Sequence, residues 1–178
     1  MLITAGLIFA WAGDIFLLFD TKNPGFFIAG LASFLVTHVL YILYFLSFLL
    51  KGSAGKNTPV WIDAFIGIYG FTLLYMLWPG LAGMKFPVIV YAICICTMAI
   101  LSMRCKKVMP TDTWKWFSTG AMLFVISDSI LAVNKFLNPS DIAPPLVMLT
   151  YGLAQMFIVV GAAKLSAIKQ YADPKPGV

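Results

Sequence analysis

Two aspartates, Asp14 and Asp128, interrupt long hydrophobic stretches of this chain. Asp14 lies in GLIFAWAGDIFLLF and Asp128 lies in GAMLFVISDSILAV. A carboxylate at the centre of a membrane-spanning helix costs at least roughly 2.5–3.5 kcal/mol, so such residues commonly have a function. Two carboxyls close together in an apolar pocket cannot both ionise easily, and one therefore keeps a proton near neutral pH. The pair predicts a site of acid–base chemistry.

Polar side chains in two other hydrophobic segments are predicted at compatible depths. With a rise of 1.5 Å per residue, Asp14 lies about 8 Å and Asp128 about 12 Å from the non-cytoplasmic ends of their helices. The same count places Gln155 at about 16 Å and His38 at about 20 Å. All four groups then lie between the midplane of the membrane and one interface. This layout favours a single polar pocket inside a helical bundle.

The helix period adds further polar groups to this pocket. Tyr41 lies one turn after His38, and Tyr151 lies one turn before Gln155, so each tyrosine shares a helix face with its partner. We predict Asp14 and Asp128 as the catalytic acid–base pair. The residues predicted to orient substrate or water are His38, Tyr41, Tyr151, Gln155, Ser127 and Asn134.

Each of these residues also has a purely structural interpretation. An intramembrane aspartate can bind Ser, Tyr or Lys on a neighbouring helix and fix the packing. His38 and Gln155 can form interhelical hydrogen bonds, and Ser127 can bond back to its own helix. The functional hypothesis therefore rests on the joint occurrence of Asp, Asp, His and Gln at compatible depths.

The composition is that of an integral membrane protein. Of 178 residues, 61% are hydrophobic and 11% are charged, whereas about 25% of a soluble domain is charged. The net charge of +5 does not indicate nucleic-acid binding, because the Lys and Arg residues lie between hydrophobic blocks and at the C-terminus. The chain has a single histidine, which argues against a zinc site built from protein ligands. We predict no metal and no cofactor.

Six segments are long and apolar enough to cross roughly 30 Å of hydrocarbon, which takes about 20 residues. They are 2–19, 25–50, 58–78, 84–104, 114–136 and 144–167. The first has no basic leader and no small-residue cleavage site, which indicates a membrane span rather than a signal peptide. The predicted fold is all-α, a polytopic transmembrane helix bundle that forms a single domain over 1–178.

The distribution of basic residues predicts the orientation. Six spans put both termini on one side of the membrane, and nine of the twelve Lys and Arg residues belong to that side. These nine are Lys51, Lys56, Arg104, Lys106, Lys107, Lys115, Lys164, Lys169 and Lys175, against Lys22, Lys85 and Lys135 on the other side. Because cytoplasmic loops are enriched in basic residues, we predict that both termini are cytoplasmic.

The first and fifth spans share a glycine eight residues before the aspartate, at Gly6 and Gly120. Each is followed by a span with a central polar group, His38 or Gln155. A parallel duplication would place the two Asp-bearing hairpins side by side about an axis along the membrane normal. The alternative is coincidence between two hydrophobic segments.

These segments resemble the YhhN family, whose animal members include lysoplasmalogenase. The similarity covers the first two and last two spans. The matching stretches are Gly13-Asp14, Phe27 to Phe34, His38 to Tyr41, Phe124 to Ser129, Asn134 to Phe136 and Tyr151 to Gln155. The resemblance implies about eight spans of roughly 20 residues each, and this chain opens on what looks like the third. Either an N-terminal pair is absent from the sequence or the protein is a shortened member.

The resemblance also implies a reaction, the hydrolysis of the vinyl ether bond of lysoplasmalogens to a fatty aldehyde and glycerophosphocholine or glycerophosphoethanolamine. A vinyl ether breaks when its β-carbon is protonated, water captures the oxocarbenium ion, and the hemiacetal collapses. One carboxylic acid and one carboxylate suffice, as in glycosidases. The implied partners are a lysophospholipid substrate, which enters sideways from the lipid, and the bilayer itself.

Two other hypotheses stay open at this point. A transporter or lipid-binding membrane protein would use the Asp pair to handle protons or a polar head group, and the parallel repeat favours that interpretation. In a purely structural interpretation, the polar residues only join helices.

Overall fold

The chain is all-helical. The computed structural model describes residues 1–20, 23–52 and 59–172. In these ranges the α-helices are α1 (Leu2–Leu18), α2 (Pro24–Lys51), α3 (Val60–Leu77), α4 (Lys85–Arg104), α5 (Thr111–Phe136) and α6 (Ala143–Ala172). The predicted helical bundle is confirmed, and most predicted bounds lie within three residues of the observed ones. Lys22, Lys56 and Lys175, which contribute to the predicted charge asymmetry, lie outside the described residues.

Helix lengths identify a multi-pass membrane protein. Five described helices, α2 to α6, are long and apolar enough to cross a membrane. Helix α1 is equally apolar but has 17 residues, or about 25 Å of helix, and is the shortest of the six predicted spans. Its neighbour α2 begins at a defined point, because Asn23 Oδ1 accepts a hydrogen bond of 2.8 Å from the backbone N–H of Gly25.

The helices pack as two hairpins joined by a fifth helix. Helix α1 packs against α2, and α5 packs against α6. Helix α4 contacts α2 from the first hairpin and α5 from the second, while α3 packs on α4 and α5. The largest fully buried side chains come from α2 and α5: Tyr41, Phe45, Phe117 and Phe124. The largest side chains of the core are therefore aromatic rings that pack between the two hairpins.

Both glycines of the shared Gly-to-Asp spacing lie at close helix contacts. A Cβ at Gly6 would collide with the ring of Tyr41. A Cβ at Gly120 would lie 2.9 Å from the backbone oxygen of Ala154 and 2.8 Å from Ile158. Backbone cannot yield as a flexible side chain can, so Gly120 sets how closely α5 approaches α6.

We expect Gly120→Ala to lower the stability of the bundle by about 1–3 kcal/mol, because the added methyl group forces α5 and α6 apart. Gly152→Ala on α6 is the matched control, since a Cβ there meets nothing within 4 Å. Thermal unfolding in detergent micelles compares the two variants with the parent chain. Equal melting temperatures for both variants would contradict the close α5–α6 contact.

Candidate active site

A mainly apolar cleft is lined by residues of α2, α3, α4 and α5 and by Leu17 of α1. It contains about 750 Å³ of empty space, its opening to the surroundings included. Its walls are mostly Leu, Ile, Val and Phe side chains. The hydroxyl and carboxyl groups among the lining residues belong to Tyr69, Tyr91, Asp128 and Ser129. A ligand in this cleft would thus meet one carboxyl and three hydroxyl groups in mainly apolar surroundings.

Asp128 lies in the central part of α5 and its side chain is only 16% exposed. The hydroxyl of Tyr91, on α4, donates a hydrogen bond to its Oδ2. His38 Nε2, on α2, lies 3.9 Å from the same oxygen, which is beyond hydrogen-bonding distance. Three helices therefore bring an acid, a phenol and an imidazole together, and of these Asp128 and Tyr91 line the cleft.

His38 is fully buried, and its polar atoms are not satisfied. Within the described part of the chain, neither ring nitrogen has a hydrogen-bond partner in ordinary geometry, although the Phe34 carbonyl one turn earlier interacts with the ring. The imidazole packs edge-on against Tyr91 at 5.3 Å and Phe124 at 5.2 Å between ring centres. Buried polar groups are normally hydrogen-bonded, so a free ring nitrogen beside Asp128 suits a water or a substrate hydroxyl.

Asp14 belongs to a different hydrogen-bond network and is not among the residues that line the cleft. Tyr151 donates to Asp14 Oδ2 at 2.9 Å, and Gln155 Nε2 donates to the Tyr151 hydroxyl at 3.4 Å. Tyr41 in turn donates to Gln155 Oε1 at 2.8 Å. These bonds connect α2, α6 and α1 in one line that ends on the Asp14 carboxyl.

Aromatic rings join the two networks. The ring of Phe124 contacts His38 on one side and Tyr151 on the other, the latter at 5.6 Å. Phe34, which lines the cleft, packs edge-on against Tyr151 at 5.7 Å. Across the described residues, the two aspartates share no hydrogen-bond partner. Phe124 thus contacts a residue beside each aspartate, His38 beside Asp128 and Tyr151 beside Asp14.

The two remaining predicted site residues make connections elsewhere. The Ser127 hydroxyl donates to the backbone oxygen of Val147 at 3.2 Å and ties α5 to α6. Asn134 Oδ1 accepts a bond of 2.7 Å from the backbone N–H of Ser140, in the turn between those helices. The structure brings neither side chain into either network.

Tyr91 and Tyr69 are the site residues that the sequence did not single out. Tyr91 bonds Asp128, and the Tyr69 hydroxyl donates to Ser129 Oγ at 2.8 Å. Interfacial tyrosines lie near the ends of spans, but Tyr91 lies six residues inside α4. That depth is the one sequence signal that distinguishes it.

Taken together, the apolar helices indicate a multi-pass membrane protein, and the buried carboxyl in the cleft marks a candidate site within its helical bundle. A model of the YhhN family matches residues 1–162. The chain belongs to this family, and the predicted resemblance is confirmed.

Among its curated relatives, human lysoplasmalogenase TMEM86A is 34% identical over 167 residues, which covers 91% of this chain and 65% of the relative. Human lysoplasmalogenase TMEM86B is 26% identical over 174 residues, covering 92% and 64%. A lysoplasmalogenase of Mycobacterium tuberculosis is 24% identical over 137 residues, covering 76% and 50%. The chain thus spans less than two thirds of the length of these relatives. No solved structure matches it.

The hydrogen bonds that connect Tyr41, Gln155, Tyr151 and Asp14 should contribute to the free energy of unfolding. In a double-mutant cycle of Tyr41→Phe and Gln155→Met, we expect a coupling free energy of about 0.6–1.7 kcal/mol, since each substitution removes the same hydrogen bond. Unfolding in mixed micelles measures it. Tyr69→Phe combined with Gln155→Met is the control pair, which should be additive within about 0.5 kcal/mol. Additive effects in the first pair would rule out the Tyr41–Gln155 bond.

Proposed function

We propose that this chain carries the catalytic region of a lysoplasmalogenase, which hydrolyses the vinyl ether bond of lysoplasmalogens to a fatty aldehyde and glycerophosphocholine or glycerophosphoethanolamine. The observation that supports this most directly is the Asp128–Tyr91 pair inside an apolar cleft. The relatives described above are lysoplasmalogenases, which supports the same activity.

The cleft suits a single-chain lipid. Its apolar wall includes Leu31, Leu73, Leu74 and Ile95. These side chains would surround the hydrocarbon chain of a lipid that leaves the bilayer, so that the chain stays out of water. Tyr69, which is exposed, borders the cleft. In this proposal the substrate enters sideways from the bilayer, and its vinyl ether stops at the level of Asp128.

Asp128 begins the reaction as a carboxylic acid. Tyr91 occupies Oδ2, which leaves Oδ1 to carry the proton. Transfer of this proton to the β-carbon of the vinyl ether gives an oxocarbenium ion and leaves Asp128 as a carboxylate that Tyr91 stabilises. Asp128 thus supplies the acid and, one step later, the base.

Water completes the reaction. The Asp128 carboxylate accepts a proton as the water oxygen bonds to the oxocarbenium carbon, and His38, whose ring nitrogen is unpartnered, orients that water. The hemiacetal then collapses: the carbon–oxygen bond to glycerol breaks, Asp128 gives its proton to the glycerol oxygen, and the Asp128 carboxylate takes the hemiacetal O–H proton as the aldehyde carbonyl forms. One water is consumed, no redox change occurs, and Asp128 returns to its acid form.

We propose Asp14 as the second carboxylate. Its orientation is fixed by Tyr151, which Gln155 and Tyr41 hold in turn. Its negative charge would stabilise the oxocarbenium ion across the Phe34 and Phe124 rings, where low polarity strengthens the electrostatic interaction. In this proposal Ser127 and Asn134 support the site by holding α5 and α6 together.

We expect Asp128→Asn and Asp14→Asn each to lower aldehyde release from a purified lysoplasmalogen by at least about 100-fold, because the amide neither donates an acidic proton nor carries a charge. Asp141→Asn, at an exposed position in the α5–α6 turn, is the matched control and should keep full turnover. The assay uses detergent micelles and quantifies the aldehyde. Near-normal turnover in either of the first two variants would remove that aspartate from the mechanism.

A further inference from the structure

Lys135 lies at one end of the cleft, beside two of its lining rings. It follows Asp128 by seven residues on α5, which puts it about 10 Å further along the helix and on nearly the same face. Its Nζ lies 4.7 Å from the ring centre of Phe27. Phe27 packs edge-on against Phe136 at 5.7 Å, and both rings line the cleft. We call this region the Phe27–Phe136 end of the cleft.

The charge of Lys135 is neutralised by an ion pair that solvent reaches. Its Nζ contacts Asp20 Oδ2 at 2.7 Å, and the two side chains are 38% and 22% exposed. Ion pairs that solvent reaches contribute little to stability, so replacing Asp20 by another anion costs little free energy. An ammonium group has three N–H donors, and a phosphate oxygen can take the place of the Asp20 carboxylate.

We propose that Lys135 binds the phosphate of the lysophospholipid substrate and so orients the lipid in the cleft. This inference rests on the function proposed above, in which the vinyl ether lies at Asp128. In such a lipid the glycerol backbone separates the ether oxygen from the phosphate. The Lys135 side chain extends from α5 two helical turns from Asp128, so it can meet a phosphate that the glycerol unit holds at the Phe27–Phe136 end.

This placement has a consequence for specificity. Choline and ethanolamine lipids share the phosphodiester, so Lys135 recognises both. An alkenyl glycerol that lacks the phosphate loses this contact. Asp20 acts as an internal anion that occupies Lys135 when no phosphate is bound, and it competes with the substrate.

The test compares two vinyl ether substrates in maltoside micelles free of phospholipid: a lysoplasmalogen and the corresponding 1-alkenylglycerol without phosphate. We expect Lys135→Gln to raise KM for the lysoplasmalogen about ten- to hundredfold and to leave KM for the alkenylglycerol unchanged. Lys135→Arg should retain the preference for phosphate. An equal effect of Lys135→Gln on both substrates, or on neither, would overturn the proposal and would leave Lys135 as a structural or bulk-lipid contact.

Two further variants separate phosphate binding from a structural ion pair. Asp20→Asn removes the competing anion and should lower KM for the lysoplasmalogen or leave it unchanged, whereas a structural ion pair would make this variant as poor as Lys135→Gln. Lys85→Gln is the matched control, because Lys85 Nζ lies over the Trp78 ring at 4.6 Å and neither residue lines the cleft. It should leave both KM values as in the parent chain.

A binding measurement keeps this inference apart from the proposed reaction. Absence of aldehyde from the parent chain with both substrates would contradict the proposed function. The role of Lys135 is then tested by calorimetry, which measures the affinity for the uncleavable saturated alkyl ether lysophospholipid and for its phosphate-free counterpart. Weaker binding of the phosphate-bearing lipid alone in Lys135→Gln supports the phosphate site, and an unchanged difference between the two lipids overturns it.

Discussion

Both aspartates need partners on other helices, and the arrangement of the bundle follows from how those partners are supplied. A carboxyl in the apolar region is tolerated only when other groups in the bundle satisfy it. Asp14 on α1 receives the Tyr151 hydroxyl from α6. Asp128 on α5 receives the Tyr91 hydroxyl from α4 and lies near His38 of α2. Each aspartate on the first helix of one hairpin thus faces the second helix of the other hairpin.

This reciprocal arrangement also explains the glycines and the aromatic rings. Gly6 lets α1 lie close to α2, and Gly120 lets α5 lie close to α6. Each aspartate-bearing helix thus packs closely on its own hairpin partner, while its carboxyl contacts groups on other helices. Phe34 and Phe124 fill the space between the two networks. The apolar rings lower the local polarity, which strengthens the hydrogen bonds and charge interactions beside them. The contacts that hold the helices together are therefore also the contacts that surround the two carboxyls.

The sequence predicts the local features of this protein well, because they depend on residues that are neighbours on one helix. Helix bounds follow from apolar length, and the face shared by Tyr151 and Gln155 follows from the helix period. The sequence also indicates that the two aspartates matter, since their cost in an apolar segment is independent of tertiary structure. The role of Asp14 and Asp128 as a catalytic pair stays a prediction.

The contacts between helices could not be predicted from the sequence. Nothing in a helix period says which helix supplies the partner of Asp128, so Tyr91 on α4 was missed. The same limitation explains why one pocket was expected where two networks occur. Similar depth along parallel spans does not fix the lateral position of a side chain. Ser127 and Asn134 lie near Asp128 in sequence, yet helix geometry directs them to the backbone of α6 and of the turn before it.

Aldehyde release by the purified parent chain tests the central claim most directly. A lysoplasmalogen and its saturated alkyl ether counterpart are incubated separately with the protein in micelles, and fatty aldehyde is quantified over time. The account predicts aldehyde from the vinyl ether lipid and none from the saturated ether, because only the former can be protonated at carbon to give an oxocarbenium ion. Binding of the vinyl ether lipid without aldehyde formation would contradict the account and would favour a lipid-binding or transport protein.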